Sequence, residues 1–345
     1  GFKGRTAVAS PQLTLGRCTA IGVHTNLALA VVARHPKVEG PLTLGSFVCP
    51  ASRFYVLEPR FDAKASFNES FTSVDGTGRM AISTLTAGAN GLAALIGYIS
   101  YKGSLAEVAG RVRLSAQRSR MATATAERTR LNAAYRLGTR KGTFDLVGNF
   151  ASDNSTLDPA MLDSVTVPLA SAAGTPIGPV ATSIGTAIGR TASRFNAAGE
   201  IRIVNFPGGG AARITSADVK GPNGARARIS GRSGVTFYWP RSLLRIDGTI
   251  DMAGGGLPSG RVILRQPRPG GPLSGVADLE PYSANGERLA LAPVRFGPGP
   301  GGATEVSTIA LLDGPFPNGI VKALRLPIQG RVGKAGAFAV GTACA

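Results

Sequence analysis

Aromatic side chains make up only 6% of this 345-residue chain. Its cations therefore lack the interleaved rings on which nucleic-acid bases stack. Acids are also in deficit, since 20 Asp and Glu stand against 38 Lys and Arg, a formal charge of +18. That balance attracts anionic partners of any kind, including nucleic acid, anionic lipid and acidic protein. The cations, however, are mostly single arginines on the polar sides of alternating strands, such as Arg111 and Arg113, Arg226 and Arg228, or Arg261 and Arg265. A solvated strand face is the favoured reading, and nucleic acid is not expected as a partner.

Cysteine is nearly absent. Cys18, Cys49 and Cys344 are the three present, and no spacing among them forms a zinc knuckle or a CxxC redox pair. Two readings of Cys18 and Cys49 stand side by side. They close a loop of about thirty residues as a disulfide, worth roughly 3 to 4 kcal/mol in an oxidising compartment, or they are two buried thiols. Histidine is limited to His24 and His35, and each reads as a solvated or locally bonded residue rather than a base. No GxSxG elbow, HExxH helix or Walker A loop is present. The glycines Gly208 to Gly210 lack the strand, turn and helix order of a dinucleotide site. Asp247 and Asp251 stand about 13 Å apart on an extended strand, too far for a glycosidase pair. No enzyme activity, metal or cofactor is expected.

Apolar runs of about 18 residues, long enough for a membrane-spanning helix, are missing too. The chain carries neither an initiator Met nor a signal peptide at Gly1. The expectation is a segment of a longer protein, with any export signal or anchor outside it.

What remains is distinctive. Hydrophobic residues reach 43%, beside 47 Gly and 23 Pro, a mixture that suits strands punctuated by turns. The clearest strand is Leu244 to Met252. Leu244, Ile246, Gly248, Ile250 and Met252 fall on one side, and Arg245, Asp247, Thr249 and Asp251 on the other. Such one-sided strands recur along the chain, about eighteen to twenty in all, with no exact sequence period.

Residues 1–103 read as a block of strands, interrupted near 89–99 by a short amphipathic helix. Leu92, Leu95, Ile96 and Ile99 would form its apolar face and cap a surface left by the strands. Residues 104–157 read as an antiparallel meander of four strands, one of them Met121 to Arg128. Residues 158–196 read as a helical insertion, with Thr175 and Pro176 at a helix start and Ile177, Val180, Ala181, Ile184, Ala187 and Ile188 along one face. Residues 197–345 return to strands. The fold class is all-β: an elongated, curved antiparallel sheet, or β-groove, with one or two short inserted helices.

Two functions suit such strands. The apolar face is either an ordinary filled core or the wall of an open trough, and the pattern alone serves both. In the second case the lining includes Val112, Leu114, Leu131, Tyr135, Leu137, Phe144 and Leu146 in the meander. Leu244, Ile246, Ile250, Met252, Val262, Leu264, Leu324, Leu326 and Ile328 continue it in the last block.

Several segments carry a family resemblance. They run from Ile229-Ser-Gly-Arg to Trp239-Pro240, through Leu244-Arg-Ile-Asp-Gly, and from Gly254-Gly-Gly to Ile263-Leu-Arg-Gln. Ala310-Leu-Leu-Asp-Gly-Pro-Phe316 and Leu326-Pro-Ile-Gln-Gly330 follow. With the helical insertion before Arg194 and Phe195, these resemble the YdbH branch of the AsmA-like proteins, relatives of TamB often labelled as a dicarboxylate transport domain. The resemblance covers about residues 104 to 345. It implies a β-groove in the periplasm of a Gram-negative envelope, part of an inner-membrane-anchored bridge along which phospholipids move towards the outer membrane. Contact with the two membranes would fall to regions outside this segment, and envelope proteins are possible further partners. The relationship to TamB implies an alternative, a scaffold or outer-membrane assembly factor that acts through exposed strand edges.

Overall fold

A computed structural model of the chain describes residues 1–104, 106–121, 124–138, 142–159, 162–163, 166, 170, 178–206, 209–238, 243–284, 286–316, 319–332 and 338–341. Strands account for 76% of it and helices for 9%. The all-β expectation holds, and every strand pairing with a defined register is antiparallel. The described residues form 24 strands, more than the sequence suggests, because several long strands are broken in the middle. Two compact units are present, Gly1–Asn154 with Glu200–Gly210, and Ser155–Gly199 with Ala211–Ala345.

The first unit contains β1 (Phe2–Leu15), β2 (Cys18–Val32), β3 (His35–Thr43), β4 (Ser46–Cys49), β5 (Phe54–Leu57) and β6 (Arg60–Phe67). They are followed by β7 (Ser73–Ala87), β8 (Asn90–Ser104), β9 (Glu107–Ala116), β10 (Arg118–Met121), β11 (Ala124–Gly138) and most of β12 (Thr143–Leu157). Strands β3 and β4 lie end to end along β2. Likewise β5 and β6 share β7, and β9 and β10 share β8. Each pair is one long strand with a break. Pairing continues across residues 103 and 104, where Gly103 of β8 opposes Val108 of β9.

Two expectations are corrected here. Residues 89–99 are not a helix: Ala89 is in a turn and 90–99 lie in β8, paired with β7 from Ala87↔Asn90 to Ser73↔Ser104. Met121 to Arg128 is not a separate strand either. Met121 ends β10, and Ala124 to Arg128 begin the continuous β11. One physical cause underlies both. Along a regular strand inward residues are spaced by two, but here they pass through a step of three. Ala94 has a left-handed backbone, with φ 48°, so Leu92 and Leu95 face the same side. The step imitates helical spacing. In β11 the adjacent exposed pair Glu127 and Arg128 makes the same step, from Ala126 to Thr129, and reads as a turn.

The step recurs across the unit. Ala20 and Val23, Val56 and Pro59, Ile82 and Leu85, Leu92 and Leu95, and Ala116 and Ser119 are all separated by three and turned inward. Cross-strand partners align them in a line: Ala20↔Phe47, Phe47↔Val56, Val56↔Leu85, Leu85↔Leu92, Leu92↔Ser119 and Ser119↔Ala126. Beside this line runs a row of extra residues, Glu58, Ser83, Ala94, Gln117 and Arg128. A transverse crease thus crosses the sheet at right angles to its strands, with the pairing register the same on either side of it.

The second unit contains helix α1 (Gly178–Ser193) and part of β13 (Phe195–Phe206), then β14 (Gly209–Lys220), β15 (Arg226–Tyr238), β16 (Leu243–Ala253), β17 (Gly260–Arg265) and β18 (Ser274–Leu279). Next come β19 (Tyr282–Ala284), β20 (Glu287–Leu291), β21 (Val294–Pro298), β22 (Thr304–Phe316), β23 (Gly319–Val332) and β24 (Phe338–Gly341). The expected helical insertion is present as α1, while Thr175, Pro176 and Ile177 lie outside the described residues, as do Gly208, Trp239, Pro240 and Cys344. Glycines at 185 and 189 weaken an isolated helix by about 1 kcal/mol each, so packing must hold it. Ala187 joins Ala225 and Leu257 in one cluster, and Ile184 packs on Leu289, Ala310, Leu312 and Ile328 in another. The Ser183 and Tyr282 hydroxyls hydrogen bond at 2.9 Å, and Tyr282 also donates to the Gly256 carbonyl at 3.0 Å.

Candidate functional site

In the first unit the apolar face gathers most of the meander residues singled out from the sequence. Val112, Ala133 and Leu146 are buried together, with Leu114, Leu131, Tyr135, Phe144 and Ile203 packed around them. Alternation alone produces this face, because β9 and β12 turn their even-numbered residues inward, β11 its odd-numbered ones, and Leu131↔Leu114 and Ala133↔Val112 are direct partners. Leu114 also packs against the cluster of Val56, Ile82, Leu95 and Ala116. The two clusters therefore form one apolar surface. Leu137, at the end of β11, is exposed and stands outside the cluster.

Tyrosines fix the polar ends of this wall. The Tyr135 hydroxyl donates to the Ser100 carbonyl at 3.0 Å, and its ring stacks on Phe144 with centroids 6.5 Å apart. Tyr101 donates to the Lys64 carbonyl at 2.8 Å. Its ring lies over Gly76, where an added Cβ would come within 2.5 Å of the ring. Burial pushes the Tyr101 hydroxyl above the ordinary tyrosine range, helped by the negative charge of Asp75. Tyr135 is raised for the same first reason, with Tyr101 adding to it.

The outer face is charged. Arg130 reaches Asp153 at 3.0 Å, Arg202 reaches Asp145 at 2.8 Å, and Lys64 reaches Glu39 at 2.6 Å. These exposed pairs stabilise the fold by roughly 0 to 1 kcal/mol each. Their main effect is to keep that face wet.

In the second unit the proposed lining divides. Ile250 opposes Val262, Gly248 opposes Leu264, and Ile246 opposes Val235, so Ile246, Ile250, Val262 and Leu264 share one face, joined by Leu244 and Met252 through the strand period. Both faces of β16 are half-buried from Leu243 to Met252. The reason is local: Gln266 accepts from the Ile246 amide at 2.8 Å, and Gly270 donates to the Leu244 carbonyl at 2.8 Å, so the loop after β17 closes over the strand end. Asp247 and Asp251 do not stand free, since Arg245 and Arg261 pair with them at 3.3 and 2.7 Å. Leu326 and Ile328 lie in the cluster against which α1 packs, and Leu324 is exposed. Here the helix fills part of the apolar face.

Cys18 and Cys49 are joined as a disulfide. Thr19↔Val48 places the two cysteines opposite one another across β2 and β4, and the link closes a sequence separation of 31 residues. Of the two readings open in the sequence, the bridge is the one the structure adopts.

Sequence reading missed the crease. Its signal is the three-residue step itself, Val56 to Pro59, Ile82 to Leu85, Leu92 to Leu95 and Ala116 to Ser119, recurring at matched heights in successive strands.

No family model, curated protein or solved structure matches the chain.

Proposed function

We propose that this chain is a periplasmic segment of an AsmA-like bridge, whose apolar sheet face guides phospholipid acyl chains between inner and outer membranes. The observation that carries the reading is exposed sheet surface. Side chains such as Leu114, Leu131, Tyr135 and Phe144 remain only half-buried although they share the apolar face. A wall of Val, Leu, Ile and Ala without tight polar pockets suits acyl chains that slide, while headgroups stay at the wet margin. The disulfide is in keeping with an oxidising compartment such as the periplasm. The resemblance of residues 104–345 to the YdbH branch points the same way.

The test places a photo-crosslinking amino acid at Leu131, Phe144, Ile246 or Leu264, and at outward-facing Val147 as control. Phospholipid adducts in cells at the inward positions, with none at Val147, are expected. Purified protein that retains no phospholipid by mass spectrometry, with no adduct at any inward position, would sink the proposal.

A second reading rests on β1. Among the described strands it pairs only with β2, and Phe2, Val8, Leu13 and Leu15 along it are exposed. Such an edge suits strand addition by another envelope protein, as in an outer-membrane assembly factor. Crosslinks from β1 to barrel proteins, without lipid on the inner face, would favour it.

A further inference from the structure

Between the crease and one set of hairpin turns lies a strip of the first unit only four residues deep, the length of β4, β5 and β10. Four turns border it, between β1 and β2, β4 and β5, β7 and β8, and β10 and β11. Successive turns are two strands apart, roughly 10 Å, so the row runs about 30 Å. Its charge has one sign. The segments 12–21, 46–57, 84–93 and 118–126 contain four arginines, Arg17, Arg53, Arg118 and Arg120, and no acid. Arg118 stands at the crease, where a groove on the outer face also holds Arg128, Glu58, Glu127 and Asp153 and so carries both signs. Arg17, Arg53 and Arg120 stand at the turns and are exposed. None of the three forms an ion pair among the described residues.

The opposite border of the unit is built differently. Acids accompany its cations there, and Arg34 pairs with Glu69, Lys102 with Asp75 and Arg136 with Glu107 at 3.5, 3.8 and 3.4 Å. On the arginine lip the backbone fixes where the cations project. Arg53 is left-handed, with φ 50°. Its N–H donates to the Pro50 carbonyl, and its own carbonyl accepts from Gly88 of the next turn, both at 3.0 Å. The Cys18–Cys49 bridge ties the ends of β2 and β4, so the turns that carry Arg17 and Arg53 keep a fixed separation.

Just inside the lip the apolar wall is bare. Leu13 and Leu15 oppose Ala20 and Cys18 and share their inward side, and Met121 follows the buried Ser119 by two positions, on the same side. These three are 46%, 53% and 49% exposed. A border of unpaired guanidiniums with uncovered apolar side chains behind it repeats the division within a phospholipid, an anionic phosphate at one end and acyl chains at the other.

We infer that this lip holds the phosphate of an anionic phospholipid headgroup, with Arg17, Arg53 and Arg120 as donors and the acyl chains on the inner face beside Leu15 and Met121. The inference rests on the acyl-chain reading of that face and adds which end of the lipid is recognised and which charge is preferred. Guanidinium groups present paired N–H donors that match phosphate oxygens, which a hydroxyl headgroup lacks.

The purified full chain would be incubated with vesicles containing labelled phosphatidylglycerol, or labelled diacylglycerol with the same acyl chains, then re-isolated and its bound lipid counted. The triple variant Arg17→Gln, Arg53→Gln, Arg120→Gln is expected to hold about tenfold less phosphatidylglycerol and as much diacylglycerol as the unaltered chain. A second triple variant, Arg34→Gln, Lys102→Gln, Arg136→Gln, removes the same charge from the opposite border and is expected to change neither. These side chains are exposed, so circular dichroism should be unchanged in both. Unchanged phosphatidylglycerol capture in the first variant, equal loss in the two variants, or uptake of diacylglycerol without phosphatidylglycerol would overturn the inference and leave the acyl-chain reading standing. Displacement of bound phosphatidylglycerol by an equal concentration of glycerol 3-phosphate would overturn it in favour of a free-phosphate site. Failure of the unaltered chain to take up either lipid would sink both.

Discussion

Leu95 and Ile96 are neighbours in sequence and opposites in structure, which makes them a sharp test of the crease. Leu95 is 4% exposed among Val56, Ile82 and Ala116, whereas Ile96 is 56% exposed on the outer face. Truncating Leu95 to Ala removes buried methyl groups and leaves a cavity that neighbouring strands cannot close, at a cost of about 2 to 5 kcal/mol. Truncating Ile96 to Ala removes atoms already in water and should change stability by about 0.5 kcal/mol or less. With a urea slope near 3 kcal/mol per molar, the Leu95→Ala midpoint should fall by about 1 M while Ile96→Ala barely moves. The assay is urea denaturation followed by circular dichroism. In a helix Leu92, Leu95, Ile96 and Ile99 would share one buried face, so comparable losses at positions 95 and 96 would refute the strand and its three-residue step.

Reducing the Cys18–Cys49 bridge, or replacing both cysteines by Ser, should lower stability by about 3 to 4 kcal/mol, the loop-closure value for the 31-residue separation; an unchanged denaturation midpoint under reductant would refute it. Tyr101 and Tyr135 have raised hydroxyl pKa values in the folded state. Their stabilisation is complete below the unfolded tyrosine value of about 10 and is lost as pH rises above it. Tyr101→Phe with Tyr135→Phe should flatten that alkaline loss, seen as a smaller fall in melting temperature above about pH 10. Gly76→Ala should destabilise the first unit by about 1 to 3 kcal/mol, because the added methyl meets the Tyr101 ring and the Lys64 carbonyl. Pairing it with Tyr101→Ala should return part of the loss, and full additivity would count against the contact.

Much of this fold is legible in the residues themselves. Strict alternation in Val108 to Ala116, Leu131 to Leu137 and Phe144 to Phe150 requires extended strands, because a period of two divides oily from wet only in that conformation. It also names the face on which Val112, Leu131 and Leu146 meet. Spacing in Ala181, Ile184, Ala187 and Ile188 likewise suffices for α1. Alternation fails where the backbone changes parity. Leu92 and Leu95 look helical because Ala94 turns left-handed, and nothing in an alanine announces that conformation; the neighbouring strands impose it through the line from Ala20 to Ala126. The bond between Cys18 and Cys49 likewise depends on the pairing of β2 with β4, which sequence separation does not encode. The sequence by itself determined strands, their two faces and the helix. Only tertiary structure decided the crease, the disulfide, and the covering of Leu326 and Ile328 beside α1, because each arises from contacts between residues distant along the chain.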